Sequence, residues 1–148
     1  MVKSLRRIAG KPLLQGKVSA RKHWATATAM SLRLILASTS RYRAELLARL
    51  GLPFETRAPG VDETPLPGES PAEQSLRLAL AKAGAVAAGA GSGLVIGSDQ
   101  VAHCAGRILG KPGHHEVAVD QLRFMRGKIT HFDTALALVN VESGKAQS

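Results

Sequence analysis

The sequence predicts an α/β protein, and two observations carry that prediction. From residue 32 onward, short apolar runs that are typical of buried strands alternate with amphipathic stretches that are typical of helices. Polar or glycine-rich segments separate these elements, and several follow directly after an apolar run. Because ligands of open α/β sheets gather beyond the ends of strands, we expect the functional residues in those segments.

The first predicted strand and helix occupy residues 32–50. Leu32–Ala37 is a short apolar run, and the hydroxyl residues 38–40 stand where a helix should begin. The helix Arg41–Leu50 follows, and Gly51 suits the left-handed conformation that ends a helix. The residues predicted on the buried face of this helix are Ala44, Leu47 and Leu50.

The second predicted helix has the clearest start in the chain. A candidate strand, Pro53–Ala58, and a proline-rich loop precede it. Ser70 is a favourable N-cap, Pro71 suits the first helical position, and Glu73 completes a capping box. The helix is predicted to reach Ala88, with an apolar stripe made of Leu76, Leu80, Ala83 and Ala87.

A short strand and a hairpin are predicted next. Leu94–Ile96 is an apolar run, and Gly97-Ser98-Asp99 stands at its C-terminal end. Residues 101–109 have the pattern of a hairpin that turns at Ala105-Gly106. The acidic residue Asp99 is therefore expected just beyond a strand.

The last predicted elements are a helix, His115–Met125, and a long strand, Ile129–Val139. A turn at residues 142–145 calls for a return strand, yet the sequence ends at Ser148. A long strand without its partner exposes unpaired backbone groups. We therefore expect that the chain lacks the C-terminal part of its domain.

The net charge of +9 is carried mainly by residues 1–30. They contain seven Lys or Arg and no Asp or Glu, whereas residues 31–148 contain 13 basic and 11 acidic residues. We expect residues 1–30 to form a disordered basic leader. An organelle transit peptide, or upstream sequence ahead of a natural start at Met30, are the alternatives. Residues 31–148 lack the basic stripe that nucleic-acid binding requires.

The composition is that of a globular protein, with 45% apolar and 21% charged residues. The single cysteine, Cys104, excludes an internal disulfide and suits a reducing cytoplasm, where we expect the protein to be. No apolar run reaches about 18 residues, so no membrane span is predicted.

Three polar clusters are candidates for chemistry. Residues 38–43 combine hydroxyls, a helix start and guanidinium groups, which suit a phosphate, although a plain N-cap with solvated arginines is the alternative. Asp99 is placed to hold a metal or to take a proton from water, unless it only caps a turn. Lys111, between Gly110 and Pro112, presents an ammonium to a phosphate or simply to solvent.

In this order and spacing, the clusters resemble the Maf-like nucleoside triphosphate pyrophosphatases. Five motifs of that family occur between residues 32 and 140: Leu36–Leu47, Val61-Asp62-Glu63, Ala79–Ala83, Gly97-Ser98-Asp99 and Gly110-Lys111-Pro112. The resemblance implies an elongated mixed sheet flanked by helices, of the Maf and inosine-triphosphatase kind. It also implies hydrolysis of a nucleoside triphosphate to the monophosphate and pyrophosphate, with Mg²⁺ or Mn²⁺.

The resemblance also implies roles for individual residues. Asp99 matches the acidic residue that is assigned as the family's general base. Glu63 matches an acidic position near the metal. The resemblance therefore implies that Glu63 and Asp99 are the metal ligands. The phosphate-binding positions of the family correspond to Ser38, Arg43, Lys82 and Lys111. A triphosphate carries about four negative charges, which agrees with a site that groups several cations around it.

Two further residues resemble the 7-methyl-GTP branch of the family. Gln100 follows the catalytic acid, as in that branch, and it can both donate to and accept from a base edge. Tyr42 stands where that branch has an aromatic residue, typically Trp. A methylated guanine is cationic, so stacking on an aromatic ring gains a cation–π contribution. The resemblance therefore implies 7-methyl-GTP as the substrate.

Two other functions stay open on the sequence alone. The first is a truncated, non-catalytic remnant that at most binds nucleotide. The second is a nucleic-acid-binding protein that uses the basic leader, which the near-neutral charge of residues 31–148 disfavours. The oligomeric state is equally open, with a homodimer as one possibility.

Overall fold

The computed structural model describes residues 33–148, so the predicted leader and Leu32 lie outside the described residues. Within the described range, three helices and six strands follow the predicted alternation. In chain order they are β1 (Leu34–Ala37), α1 (Arg41–Ala48), β2 (Glu55–Arg57), α2 (Pro71–Ala88), β3 (Leu94–Cys104), β4 (Arg107–Leu109), α3 (His115–Met125), β5 (Thr130–Asn140) and β6 (Ala146–Gln147).

The strands form one mixed sheet in the order β2-β1-β3-β5-β6, and β4 also pairs with β3. β1 is parallel to β2 and to β3, whereas β3 is antiparallel to β4 and β5. The eleven-residue pairing of β3 with β5 is the longest in the sheet. The observed architecture confirms the predicted α/β class, with a mixed sheet flanked by helices.

One edge of β3 is only partly paired. β1 pairs with residues 94–97, and β4 pairs with residues 102–104 on the same edge. Between them, residues 98–101 pair with β5 alone among the described strands. β1 and β4 thus leave a gap in the sheet, and the middle of β3 borders it.

The core lies between α2 and the sheet. Its buried residues come from β1, α2, β3 and β5, and they include Ile35, Ala79, Ala83, Val86, Val95 and Ala137. Most of them are small or β-branched, as the low aromatic content of 3% requires. Small residues let helix and sheet approach closely, which fixes the position of α2 over β3.

Gly97 marks the point of closest approach between α2 and β3. A Cβ atom on Gly97 would lie 2.7 Å from the backbone nitrogen of Ala83, 2.9 Å from its Cβ, and closer still to the carbonyl oxygen of Ala79. These separations are too short for any real side chain. Only glycine permits the observed packing at this position.

The start of α2 was predicted correctly. The Ser70 hydroxyl accepts from the Glu73 backbone N–H, and the Glu73 carboxylate accepts from the Ser70 N–H at 2.9 Å, which completes the capping box. Pro71 opens the helix, and Ala88 ends it, as predicted. Local signals are sufficient here because every partner lies within four residues.

The predicted buried face of α2 was wrong in part. Leu76 is 40% exposed, and Leu80 and Ala87 are only partly buried. The face that contacts the sheet instead contains Gln74, Ser75, Leu78, Ala79, Lys82, Ala83 and Val86. This face is apolar at Leu78, Ala79, Ala83 and Val86, and Lys82 can be buried on it because Asp99 of β3 pairs with its charge.

Asp99 does not follow a strand, contrary to the prediction. β3 continues from Leu94 to Cys104, so Asp99 lies in its middle. Glycine and polar residues suggested a strand end, but pairing with β5 carries the strand through them. The predicted hairpin turn is confirmed, with Ala105 and Gly106 at positive φ of 48° and 77°.

The first helix and the last strands also differ from the prediction. α1 ends at Ala48, with Gly51 at a φ of 68°, and none of its residues is fully buried. The return strand is present as the two-residue β6, which pairs with Leu138 and Val139. β5 also has β3 along one full edge, so it is not the unpartnered strand that we expected. Within residues 33–148, no helix is long and apolar enough to cross a membrane.

Candidate active site

The gap in the sheet opens into a cleft of about 1260 Å³. The carboxyl end of β1, the start of α1, the inner face of α2 and the loop after β4 surround it. All the predicted site residues line this cleft: Ser38, Tyr42, Arg43, Glu63, Lys82, Asp99, Gln100 and Lys111. Residues up to 73 positions apart in the chain thus meet at one place, as a shared site requires.

Lys82 of α2 is bonded to two carboxylates at the floor of the cleft. Its Nζ atom donates to Oδ1 of Asp99 at 2.5 Å and lies 2.7 Å from Oε1 of Glu63. The side chains of Lys82 and Asp99 are 5% and 10% exposed, whereas that of Glu63 is 52% exposed. The buried ammonium and the buried carboxylate stabilise each other, and Glu63 contacts the ammonium from the solvent side.

Cations gather around Glu63. The hydrogen bond from Lys82 is the main cause that lowers the pKa of Glu63 below its ordinary value, and burial opposes that shift. The charges of Lys82, Lys111 and Arg43 lower the pKa further. Three cations therefore act on one carboxylate, which is the electrostatic environment that a polyphosphate needs.

The start of α1 forms a second polar group in the cleft. The Ser38 hydroxyl, buried at the end of β1, accepts from the backbone N–H of Ser40 at 3.1 Å and from the Arg43 guanidinium at 3.5 Å. Ser40 is the N-cap, and its hydroxyl accepts from the N–H of Arg43. Backbone N–H groups, a hydroxyl and a guanidinium thus share one position, an arrangement suited to a phosphate.

Gln100, one of the two candidate base-recognition residues, lies on the opposite face of β3, and Tyr42 lies on α1. Because strand side chains alternate, Gln100 points away from Asp99. Its amide nitrogen donates to the Thr134 hydroxyl on β5 at 2.7 Å. Tyr42 is 70% exposed, and the Arg41 guanidinium lies 5.3 Å from its ring centroid. A ligand that crosses the gap can therefore reach Asp99 on one side and Gln100 on the other.

Two residues of the cleft were missed in the sequence. Thr134 holds Gln100, and only the register of β3 with β5 reveals that pairing. Gln74 is 6% exposed, and its buried carbonyl oxygen accepts no hydrogen bond from residues 33–148. Gln74 lies eight residues before Lys82 on α2, so helical spacing could have placed both on one face.

The cleft offers oxygen ligands for a divalent cation. Within residues 33–148, no group of three or more His, Cys, Asp or Glu side chains is arranged to hold a metal. Glu63 and Asp99 nevertheless converge on one point, the Nζ atom of Lys82. Mg²⁺ is commonly held by one or two carboxylates together with substrate phosphates, so this pair of residues fits the ion.

Comparisons with known proteins identify the family of the chain. The family model described as "Maf-like protein" matches residues 33–148. A protein of Polaromonas sp. named 7-methyl-GTP pyrophosphatase is 60% identical over 121 residues, which are 82% of this chain and 55% of that protein. Proteins of the same name from Albidiferax ferrireducens and Thiobacillus denitrificans are 59% and 55% identical, over 78% and 82% of this chain and 58% and 60% of their own lengths.

The chain thus spans between about half and three fifths of the length of these curated relatives. A solved structure of a nucleoside-triphosphatase (dITP/XTP pyrophosphatase) from Mycobacterium abscessus is a more distant match. It is 20% identical with a TM-score of 0.46, over 78% of this chain and 69% of that one. That likeness adds nothing to the assignment, which depends on the family model and the close relatives.

The match over residues 33–148 and identities of 55–60% to three relatives agree with the five sequence motifs and with the cleft that brings them together. The chain belongs to the Maf-like family.

Proposed function

We propose that this protein is a nucleoside triphosphate pyrophosphatase that hydrolyses 7-methyl-GTP to the monophosphate and pyrophosphate. The observation that carries the proposal is the buried Lys82–Asp99 pair, with Glu63 beside it, at the segment of β3 that pairs with β5 alone among the described strands. A carboxylate beside several cations is what hydrolysis of a phosphoanhydride needs, because it can accept a proton while the cations hold the phosphates.

Asp99 is the proposed general base. It takes a proton from a water molecule, whose oxygen then bonds to phosphorus as the anhydride link between the α- and β-phosphates breaks. Pyrophosphate leaves, and the nucleoside monophosphate remains. Asp99 is 7% exposed, so few water molecules can reach it at once.

The phosphates are proposed to lie across the gap in the sheet. Ser38 and Arg43 bind them from the start of α1, while Lys82 and Lys111 approach from α2 and from the loop after β4. Glu63 and Asp99 are the proposed ligands of Mg²⁺ or Mn²⁺, which would neutralise phosphate charge when bound. Lysine and arginine provide fixed positive charge that needs no further reorganisation.

The base is proposed to lie beyond the gap, on the face with Tyr42 and Gln100. Tyr42 has an exposed ring that can stack on a cationic 7-methylguanine. The Gln100 amide nitrogen is engaged by Thr134, which leaves its carbonyl oxygen to accept from the base. Guanine offers N–H donors on its Watson–Crick edge. The names of the relatives support this choice of base.

All the residues with a proposed role in binding or hydrolysis lie within residues 33–148, and none lies in the predicted leader. A cytoplasmic location is proposed as well, on the ground that Cys104 is buried and unpaired, as is usual in a reducing compartment.

A substrate panel tests the proposal. The purified chain is incubated with Mg²⁺ and 7-methyl-GTP, GTP, UTP or dTTP, and the products are followed by phosphorus NMR. We expect pyrophosphate and monophosphate, with 7-methyl-GTP as the preferred substrate. Preference for UTP or dTTP contradicts the assignment of the base. Release of orthophosphate, or binding without turnover, contradicts the proposed reaction.

A further inference from the structure

The Nζ atom of Lys82 occupies the point where the carboxylates of Glu63 and Asp99 converge, at 2.7 and 2.5 Å. Its side chain is 5% exposed. A lysine this deeply buried is held there by its partners, since a desolvated charge without them is costly. Nζ contacts one oxygen atom of each carboxylate, and these are the atoms that a bound metal ion would contact.

A metal ion and the ammonium exclude each other at this point. Mg²⁺ binds oxygen at about 2.0–2.1 Å, so an ion between the two carboxylates would lie within strongly repulsive range of Nζ. Metal binding therefore requires Lys82 to leave. Lysine has a flexible four-carbon stem, and the cleft beside it is open. The displaced ammonium can move toward the space where a phosphate would lie.

We infer that Lys82 is an internal counter-cation: it holds Glu63 and Asp99 together in the empty site, and a divalent cation displaces it from them. This inference rests on the proposed function, which makes Glu63 and Asp99 the metal ligands. It adds that metal and lysine compete for the same oxygens. Lys82 thereby keeps two carboxylates from repelling each other until the cation and the phosphates arrive.

The test uses Mn²⁺ alone, without nucleotide, and measures its affinity by calorimetry and by electron paramagnetic resonance. Lys82→Met removes the ammonium and keeps a similar length of side chain. Since it leaves two unpaired carboxylates, one of them buried, we expect Mn²⁺ to bind at least about thirtyfold more tightly than to the wild type. Mn²⁺ should also raise the melting temperature of Lys82→Met by more than that of the wild type.

Lys111→Met is the matched control, because Lys111 acts on Glu63 only through its charge and is not bonded to it. Its loss should tighten Mn²⁺ binding by no more than about fivefold, as for an exposed charge. Lys82→Arg keeps the positive charge and should bind Mn²⁺ no more tightly than the wild type. This variant keeps the test decisive if Lys82→Met fails to fold, because tighter Mn²⁺ binding by Lys82→Arg overturns the inference.

Equal effects of Lys82→Met and Lys111→Met, or weaker Mn²⁺ binding by Lys82→Met, would overturn the inference. So would a failure of all the proteins to bind Mn²⁺. None of these readouts involves hydrolysis. If Lys82→Met binds Mn²⁺ more tightly but the wild type hydrolyses no nucleotide, the competition between metal ion and Lys82 is supported. Only the proposed function is then refuted.

Discussion

Gly97 of β3 lies against the backbone of α2 at Ala83, at a distance that leaves no room for a Cβ atom. Asp99 follows two residues later on the same face of the strand, and Lys82 precedes Ala83 on the helix. The close contact of helix and strand therefore sets the distance across which Lys82 reaches Asp99. A residue without a side chain determines the geometry of the most buried ion pair in the described cleft.

Gly97→Ala should destabilise the protein. The added methyl group must push α2 away from β3, and overpacking of this kind costs about 1–3 kcal/mol. The free energy of unfolding in urea gives the measurement. Gly84→Ala is the matched control on the facing helix, because a Cβ atom there meets nothing within 4 Å. It should raise stability by about 0.5–1 kcal/mol. A Gly97→Ala variant as stable as the wild type would show that helix and strand are not constrained here.

Gln74 should limit the stability of the unliganded protein. Its buried carbonyl oxygen has no donor in the part of the chain that the structure describes, and an unsatisfied buried acceptor costs about 1–3 kcal/mol. Gln74→Met keeps the volume and removes the polar atoms, so we expect the free energy of unfolding to rise. Urea titration of both proteins measures it. A loss of stability would show that water or a rearranged donor already satisfies Gln74.

Thr134 should influence the choice of substrate through Gln100. Thr134→Val removes the hydroxyl that accepts from the Gln100 amide, which frees the amide to rotate. The preference for 7-methyl-GTP over UTP, measured as the ratio of kcat/KM values, should fall by about tenfold. Thr134→Ser keeps the hydroxyl and should keep the preference. If both variants behave alike, the hydrogen bond has no part in specificity.

The capping box of α2 should make stability depend on pH. The pKa of Glu73 lies below its ordinary value of 4.5, first because of the Ser70 hydroxyl and then because of the Ser70 N–H. A lowered folded-state pKa gives stability that is complete above the unfolded value and is lost as the pH falls through the folded one. Glu73→Gln should therefore lessen the loss of stability below pH 4.5. The melting temperatures of the wild type and of Glu73→Gln, measured across that pH range, test this prediction. The same pH dependence in both proteins would contradict it.

The sequence contained enough to predict what depends on neighbouring residues. Ser70, Pro71 and Glu73 determine the start of α2 among themselves, so the prediction of that boundary succeeded. The face that α2 buries includes Lys82, whose partner Asp99 lies 17 residues further along the chain, and the prediction of the apolar stripe was wrong in part. Burial of a lysine cannot be predicted from hydrophobic periodicity alone, because lysine is rarely buried unless it is paired.

The site shows the same division. The motifs identified residues that line one cleft, yet they did not reveal that Asp99 lies within a strand or that it borders a gap between β1 and β4. Both facts follow from strand pairing, which joins residues far apart in the chain. Thr134 was missed for that reason, whereas Gln74 lies on the same helix as Lys82 and could have been found from helical spacing.

The most direct test of the central claim compares the wild-type chain with Asp99→Asn. The substitution keeps the size of the side chain and removes its charge and basicity. The rate of pyrophosphate release from 7-methyl-GTP and the nucleotide Kd are measured on the same preparations. We expect kcat to fall by about 10²–10⁴-fold, as for loss of a general base, while the Kd changes far less. Pyrophosphate release that continues undiminished in Asp99→Asn would contradict it.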